Sequence, residues 1–354
     1  MKSVLILHAY SAENLGDGLL VAETLKAVRA AFDDEAIEAV VLASYPESFE
    51  SIPGVRFVRS KPGRFGYPSE YLHALWSMDR FDAIVAVGGG YLRAKSMKEA
   101  LKTALVHGPQ LLAAAWRAPR RAVYLPQSIG PAHFGSRLIL RGVLRRMQKV
   151  FLRDDRSIEE MGLPNALRAA DLAAGRMSER GVSLAVADVP VLSVRHVNGR
   201  LPGGLLPLAN SIGTYDSYIQ STVRSNDDRP ATSELTYRRL IPRPEMMGSA
   251  AEPRVVVAVR LHAALMALAA GHYVVHLAYE RKGFGAFGDL DIPEFVHNVN
   301  SFDQEKVLAQ VHLLLGSQAA RAEYNDRLRH SMIKLSGCRE LLHSAIREGS
   351  SNAA

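Results

Sequence analysis

Hydrophobic positions in this chain fall into short apolar runs divided by polar turns and by stretches of helical period. The pattern is clearest from Val255 to Tyr279. A valine-rich run ends abruptly at Arg260-Leu261-His262, an alanine- and leucine-rich segment follows, Gly271 stops it, and a second valine-bearing run begins. This predicts strand, turn, helix, strand. The N-terminal half repeats the alternation: Ser3 to His8 reads as a buried strand and Ile37 to Leu42 as a second. Between them, Leu19 to Phe32 reads as a helix with Leu20, Thr24, Ala27, Val28 and Ala31 at helical spacing. Ala83 to Val87, preceded by Leu72 to Met78, then Ala122 to Leu125 and Val150 to Leu152 add further strands. Val189 to Val194 opens a second series, and Asp303 to Leu315 and Ser317 to Arg347 read as closing helices, with Glu348 to Ala354 expected to fray. Alternating strands and helices, with small polar loops at successive strand ends, predict α/β architecture with doubly wound parallel sheets.

Length divides this series in two. The 354 residues exceed one ordinary core and fit two domains of about 150 to 180 residues each. Ala169 to Gly175 reads as the end of the first, giving expected domains of 1–175 and 176–354. Asn198 to Ala251 interrupts the alternation, and its Ser217 to Pro230 portion reads as a mobile loop of the kind that closes over a ligand. A hydrophobic content of 48% and a charged content of 22% are those of a soluble globular protein. No apolar run reaches the roughly 18 residues of a membrane span, and Met1 to Leu7 reads as a first strand rather than a signal peptide. The lone Cys338 excludes an intramolecular disulfide and a multi-cysteine metal site, which points to a reducing cytoplasm. The acidic residues and histidines show no metal-ligand spacing, so no metal is expected.

A net charge of +7 points to anionic partners. From Arg117 to Arg153 there are nine Lys or Arg and no Asp or Glu. Leu140, Val143, Leu144 and Met147 form an apolar helical face there, beside an i, i+4 stripe of Arg137, Arg141, Arg145 and Lys149. Such a stripe is either a solvated face or a surface for peripheral contact with anionic membrane. No aromatic residues are interleaved with these arginines as a single-strand platform requires, so nucleic acid is not expected as a partner.

Candidate chemistry sits at the strand ends. Arg260 and His262 fall where a strand hands the chain to a helix N-terminus, whose free N–H groups and dipole favour a small anion. The plainer reading is a solvated arginine and a capping histidine. Arg195 is a second arginine at a strand terminus. In Asn14-Leu15-Gly16-Asp17, Gly16 permits a positive φ and close approach, while Asn14 and Asp17 offer an amide and a carboxylate at a helix entry; the plainer reading of Asp17 is a helix cap. Gly88-Gly89-Gly90 can wrap a phosphate or form a tight turn, but it carries neither the dinucleotide fingerprint nor the P-loop spacing.

These motifs, taken in order, resemble the polysaccharide pyruvyl transferases. The resemblance rests on Asn14-Leu15-Gly16-Asp17, Val87-Gly88-Gly89-Gly90 and Gln127-Ser128-Ile129-Gly130-Pro131, then Arg153-Asp154 with Ser157, Arg260-Leu261-His262, and Tyr279 with Lys282. It departs from the family pattern across Asn198 to Ala251 and at Tyr273, where a proline is common. The resemblance implies two facing Rossmann-like domains of the glycosyltransferase-B type with the active site in the interdomain cleft. Residues 1–175 would form the acceptor side, and 176–354, with the C-terminal helices, the donor side. The implied activity moves pyruvate from phosphoenolpyruvate onto two hydroxyls of a sugar in an exopolysaccharide or cell-surface glycan precursor, giving a cyclic ketal and phosphate.

The donor's carboxylate and phosphate call for fixed cations, for which Arg195, Arg260 and Lys282 are candidates beside His262. His262 is the candidate acid or proton shuttle and Asp17 a candidate base. Asn14, Gly16, Asp17, Gly89, Gly90, Gln127 and Ser128 are the candidate acceptor-binding residues. No cofactor is expected beyond phosphoenolpyruvate as donor substrate, and the acceptor is expected to be lipid-linked, met from the cytoplasmic side. The alternatives are a sugar-nucleotide-dependent glycosyltransferase of the same architecture and a non-enzymatic saccharide-binding or assembly protein.

Overall fold

The structure, a computed structural model, describes residues 1–33, 35–179, 181–222, 226–248 and 251–351. The chain forms two compact units: Met1–Glu13, Asp17–Leu172 and the chain from Ser336 onward make the first, and Asn14–Gly16 with Ala173–Leu335 the second.

In the first unit the described strands are β1 (Lys2–Ala9), β2 (Ile37–Ala43), β3 (Val55–Arg59), β4 (Ala83–Ala86), β5 (Ala122–Gln127), β6 (Lys149–Leu152) and β7 (Ala166–Arg168). They form one parallel sheet in the order β3-β2-β1-β4-β5-β6-β7. The connecting helices are α1 (Leu15–Ala31), α2 (Ser69–Trp76), α3 (Met97–Val106), α4 (Gly108–Arg117), α5 (Ser136–Leu144) and α6 (Asp155–Met161). A parallel sheet is covered on both faces, which is why its strands read as nearly unbroken apolar runs. Leu5, Leu7, Ile84, Ala86 and Tyr124 of the sheet share one core with Tyr71 of α2, Leu111 and Ala115 of α4, and Leu140 and Leu144 of α5.

In the second unit β8 (Val191–Ser193), β9 (Asp216–Ser217), β10 (Val255–Ala258), β11 (Tyr273–Ala278) and β12 (Val296–Asn298) form a parallel sheet in the order β12-β11-β10-β8-β9. Helices α7 (Leu205–Ile212), α8 (Arg229–Thr232), α9 (Arg243–Met247), α10 (Leu261–Ala269), α11 (Arg281–Asp289) and α12 (Gln304–Gly316) accompany it. The long helix α13 (Gln318–Ser351) begins in this unit and passes into the first at Ser336.

The structure departs from the pattern of apolar runs in several places. Helix α1 starts at Leu15, so Asp17 lies in its first turn. Strand β3 goes unread in the pattern because it is a short edge strand whose Arg56 and Arg59 break the apolar run. The Asn198 to Ala251 region contains α7, β9, α8 and α9, and in the stretch read as a mobile loop Tyr218, Gln220, Ser221 and Asp228 are buried. Positions 223–225 of that loop lie outside the described residues. Helix α5 ends at Leu144 and Lys149 opens β6, so Lys149 leaves the basic helical stripe.

The expected fraying at Glu348 does not begin there. Helix α13 runs to Ser351, Gln148 Nε2 donates to the Ala345 carbonyl at 3.0 Å, and Gly349 is buried against Gln148 and Arg121. Positions 352–354 lie outside the described residues. The division into units also differs from 1–175 and 176–354, because the chain from Ser336 groups with the first unit.

Candidate functional site

The strand order of the second unit contains a switch point. From β8 the chain moves outward to β9 and then returns on the other side as β10, so connections leave the adjacent ends of β8 and β10 in opposite directions. Open parallel sheets bind ligands at such points, beyond the carboxyl ends of the strands. Arg195 lies just beyond β8 and Arg260 just beyond β10, at the N-cap of α10. The strands stay paired through Val259, whose N–H donates to the Ser193 carbonyl at 2.9 Å, and Arg260 is the next residue.

Each arginine is held by neighbours. Arg195 Nη1 donates to the Tyr279 hydroxyl at 2.9 Å, and its guanidinium stands 4.9 Å from the Tyr279 ring centre. Arg260 Nε donates to both oxygens of Asp228, at 2.9 and 2.7 Å, and Nη2 donates to Asp228 Oδ1 at 2.6 Å. Nη2 also donates to the Asn226 carbonyl. Among the described residues Nη1 makes no hydrogen bond, so the fork is fixed along one edge. Burial raises the Asp228 carboxyl above its ordinary pKa, against the pull of the Arg260 hydrogen bonds and of the Arg260 and Arg195 charges. Lys282, in the first turn of α11, pairs with Glu280 at 2.9 Å.

His262 lies in the first turn of α10. The Asn14–Gly16 segment groups with this unit, and a Cβ on Gly16 would stand 2.4 Å from His262 Nδ1. Gly16 is therefore required by close approach and not by a positive φ. Arg195, Arg260, His262, Lys282, Asn14 and Gly16 thus belong to one unit, and Asp17 to the other.

The first unit gathers the remaining candidates at the ends of β4, β5 and β6. Gly89 N–H donates to the Pro126 carbonyl at 3.2 Å and Ser128 N–H to the Gly89 carbonyl at 2.8 Å. The glycine stretch thus continues the β4–β5 pairing, and Gly89 N–H is committed to protein rather than open to a phosphate. A Cβ on Gly88 would come within 2.8 Å of the Pro126 carbonyl oxygen, which accounts for that glycine. Gln127 is 0% exposed, and among the described residues neither polar atom of its side chain has a hydrogen-bond partner. Buried polar atoms are ordinarily paired, which marks Gln127 as a group awaiting a ligand or water. Ser128 Oγ accepts from Arg153 Nε at 3.1 Å, and Arg153 forms a buried ion pair with Asp171. Asp154 caps α6 by accepting from Ser157 N–H at 2.9 Å, and Ser157 Oγ accepts from Ile129 N–H at 3.0 Å, so these motif residues brace the loop.

Sequence reasoning missed Asp228 and a buried cluster around His8. The doubled Asp227-Asp228 before Arg229-Pro230 was the available signal for the first. His8 lies at the end of β1, with Nδ1 3.2 Å from His107 Nδ1 and Nε2 3.1 Å from the Tyr124 hydroxyl. Burial, then the charge of Lys102, lowers the pKa of His107 to about 3. Burial and His107 depress that of His8, so the pair is neutral at ordinary pH.

A family profile described as polysaccharide pyruvyl transferase matches residues 14–281. No curated protein matches the sequence. Among solved structures, a trehalose-6-phosphate synthase studied with bisubstrate glycomimetics is similar at TM-score 0.57 and 11% identity, covering 98% of this chain and 99% of that one. A trehalose-6-phosphate structure from E. coli, bound with UDP-2-fluoro glucose, gives TM-score 0.55 and 10% identity over 98% and 99% of the two chains. A putative UDP-N-acetylglucosamine 2-epimerase from Listeria monocytogenes gives 0.53 and 10% over 92% and 90%. At such identities the likeness is one of fold. With the two parallel α/β sheets, it gives the glycosyltransferase-B class of two Rossmann-like domains.

Proposed function

The chain belongs to the polysaccharide pyruvyl transferase family and is a transferase, and from that premise we propose that it moves the pyruvyl group of phosphoenolpyruvate onto two hydroxyls of a saccharide, forming a cyclic ketal. The observation that carries this reading is the pair Arg195 and Arg260 flanking the β8/β10 switch point, with His262 in the adjoining helix turn. Two guanidiniums beyond neighbouring strand ends, one of them at the N-terminus of α10, suit a donor bearing a carboxylate and a phosphate on adjacent atoms. Asp228 orients Arg260 and leaves Nη1 to meet the anion.

The reaction protonates the methylene carbon of the donor, develops positive character at C2, and admits one sugar hydroxyl as phosphate departs and the second hydroxyl as the ring closes. Two hydroxyl protons are released and one is taken up at carbon, so a positioned acid and base are both required. His262 is the proposed acid, its imidazolium also offsetting charge on the leaving phosphate. Lys282 is a further donor-binding cation, and Asp17 is the proposed base. Asn14, Gly16, Gly89, Gly90, Gln127 and Ser128 are proposed on the acceptor side, and the acceptor is a lipid-linked precursor of an exopolysaccharide or cell-surface glycan, used from the cytoplasmic face.

The test is a thermal-shift comparison of phosphoenolpyruvate with nucleoside diphosphate sugars. A ligand at about 100 times its Kd adds roughly 2.7 kcal/mol of stability. Stabilisation by phosphoenolpyruvate, lost in Arg195→Ala, is expected. Stabilisation by the sugar nucleotides alone would replace this reading with a glycosyl transfer.

A further inference from the structure

We infer that the face of the first unit formed by α2, α3, α4 and α5 docks on an anionic lipid bilayer. The four helices are neighbours, with α4 packed by each of the other three. Helices α2, α4 and α5 each turn one apolar side into the core, as an amphipathic surface helix does, while α3 buries only Val106; all four then present a further apolar group outward. On α2 this is Leu72 with Trp76, on α3 Leu101 with Leu105, and on α4 Leu112 with Trp116, every pair at i, i+4 spacing and exposed. On α5 it is Leu138 with Ile139. Apolar residues scattered singly on a surface need no explanation, but outward pairs on four adjoining helices make a patch that does.

The aromatic chemistry narrows the partner. Both tryptophans of the chain lie on this face, Trp76 75% and Trp116 62% exposed. Arg117 stands 4.1 Å over the Trp76 ring and Arg146 5.2 Å over the Trp116 ring. Tryptophan is favoured at the membrane–water interface, and arginine can reach the headgroups while its stem covers apolar surface.

Charge decides between a bilayer and a second copy of the chain. Arg137, Arg141 and Arg145 are exposed, α4 and α5 carry no acidic residue, and the acids of α2 and α3, Glu70 and Glu99, pair with Arg56 and Arg93. A two-fold dimer through this face would set like charges against each other, whereas anionic headgroups complement them. Among the described residues no helix is long and apolar enough to cross a membrane, so the contact would be lateral. The surface differs from the sequence-read stripe in losing Lys149 and gaining the apolar pairs.

Because the chain's only tryptophans sit on this face, their fluorescence in the full-length protein reports on it directly, with no substrate present. Adding phosphatidylglycerol-containing vesicles at low salt should shift the emission to the blue, and bromine-labelled acyl chains should quench it. Phosphatidylcholine vesicles should do neither. Arg137→Gln/Arg141→Gln/Arg145→Gln should reduce vesicle binding at least tenfold. Leu101→Ser/Leu105→Ser/Leu112→Ser, with charge intact, should do the same while keeping the parent's urea midpoint. The inference is overturned if anionic vesicles leave the emission unchanged, or if both variants bind as the parent does. It is equally overturned if the blue shift grows with protein concentration without lipid, which would make this a surface between protein chains.

Discussion

In both units a strand ends in an arginine held by a buried aspartate, yet the two pairs serve different ends. Arg153 and Asp171 beyond β6 have side chains 2% and 1% exposed, and the arginine's Nε is also spent on Ser128. Arg260 and Asp228 beyond β10 are 11% and 1% exposed, and Arg260 keeps one nitrogen unbonded among the described residues. The first pair closes a loop. The second holds a cation in place without consuming it. Enclosure of the guanidinium, not the presence of an arginine at a strand end, separates this structural ion pair from the proposed anion site.

The distinction is tested most severely by removing each arginine. Arg153→Met leaves Asp171 buried without its cation and is expected to lower stability by about 3–5 kcal/mol, read from the urea midpoint. Arg260→Met also leaves a carboxylate that is 1% exposed without its cation and should cost a similar amount of stability, but it should in addition abolish the stabilising effect of phosphoenolpyruvate, which Arg153→Met should retain. Loss of that effect in Arg153→Met, with Arg260→Met keeping it, would erase the contrast between the two pairs.

His262→Asn sharpens the comparison on the chemical side. Turnover is expected to fall about 100-fold or more with donor affinity changed less, measured as phosphate release. A variant within a few fold of the parent would leave His262 as a packing partner of Gly16.

Both units also bury neutral histidines, and here they should behave alike. Burial takes His107 to about 3 and His276, whose Nδ1 donates to the Ala258 carbonyl at 2.8 Å, to about 4. Folded values lie below the unfolded 6.5, so the unfolded chain binds more protons as pH falls. Stability is therefore unaffected by these groups above about pH 6.5, and declines below it by up to about 1.4 kcal/mol per pH unit for each. The decline ends near each folded value. His107→Gln and His276→Gln should each flatten the denaturation profile between pH 6 and about 4; profiles parallel to the parent's would show that neither ring resists protonation.

The smallest expected effect belongs to Gln127. Replacing its two unpartnered polar atoms with the apolar, similarly sized methionine should raise stability by about 1 kcal/mol while weakening use of the acceptor. A destabilised Gln127→Met would mean the amide has a structural partner in solution.

Strand-end arginines were legible in the sequence because an apolar run that breaks at a charge announces where a strand meets solvent. The parallel sheets were legible for the same reason, through β1, β4, β5, β10 and β11. What arose from distant parts of the chain was not. Asp228 meets Arg260 across 32 positions of separation, and nothing local to either distinguishes it from Asp227, which pairs instead with the neighbouring Arg229. Gly16 reads as a turn glycine until His262 is seen against it. The outward leucines and tryptophans of α2 to α4 fit helical spacing as well as core residues do, and only the packed fold shows which side of each helix is covered.

Helix α13 has a consequence for how the protein is made. The first unit includes residues from Ser336 onward, and Ala345 and Gly349 meet Gln148 and Arg121 within it. On a ribosome the whole of the second unit emerges before that helix segment does, so the unit begun first is completed last. Until then the surface around Gln148 and Arg121 lacks its cover, and nascent chains would hold an unfinished first unit while Ala173–Leu335 are made. Domains ordinarily fold in the order they emerge; here the second can close its core while the first still waits for its final helix.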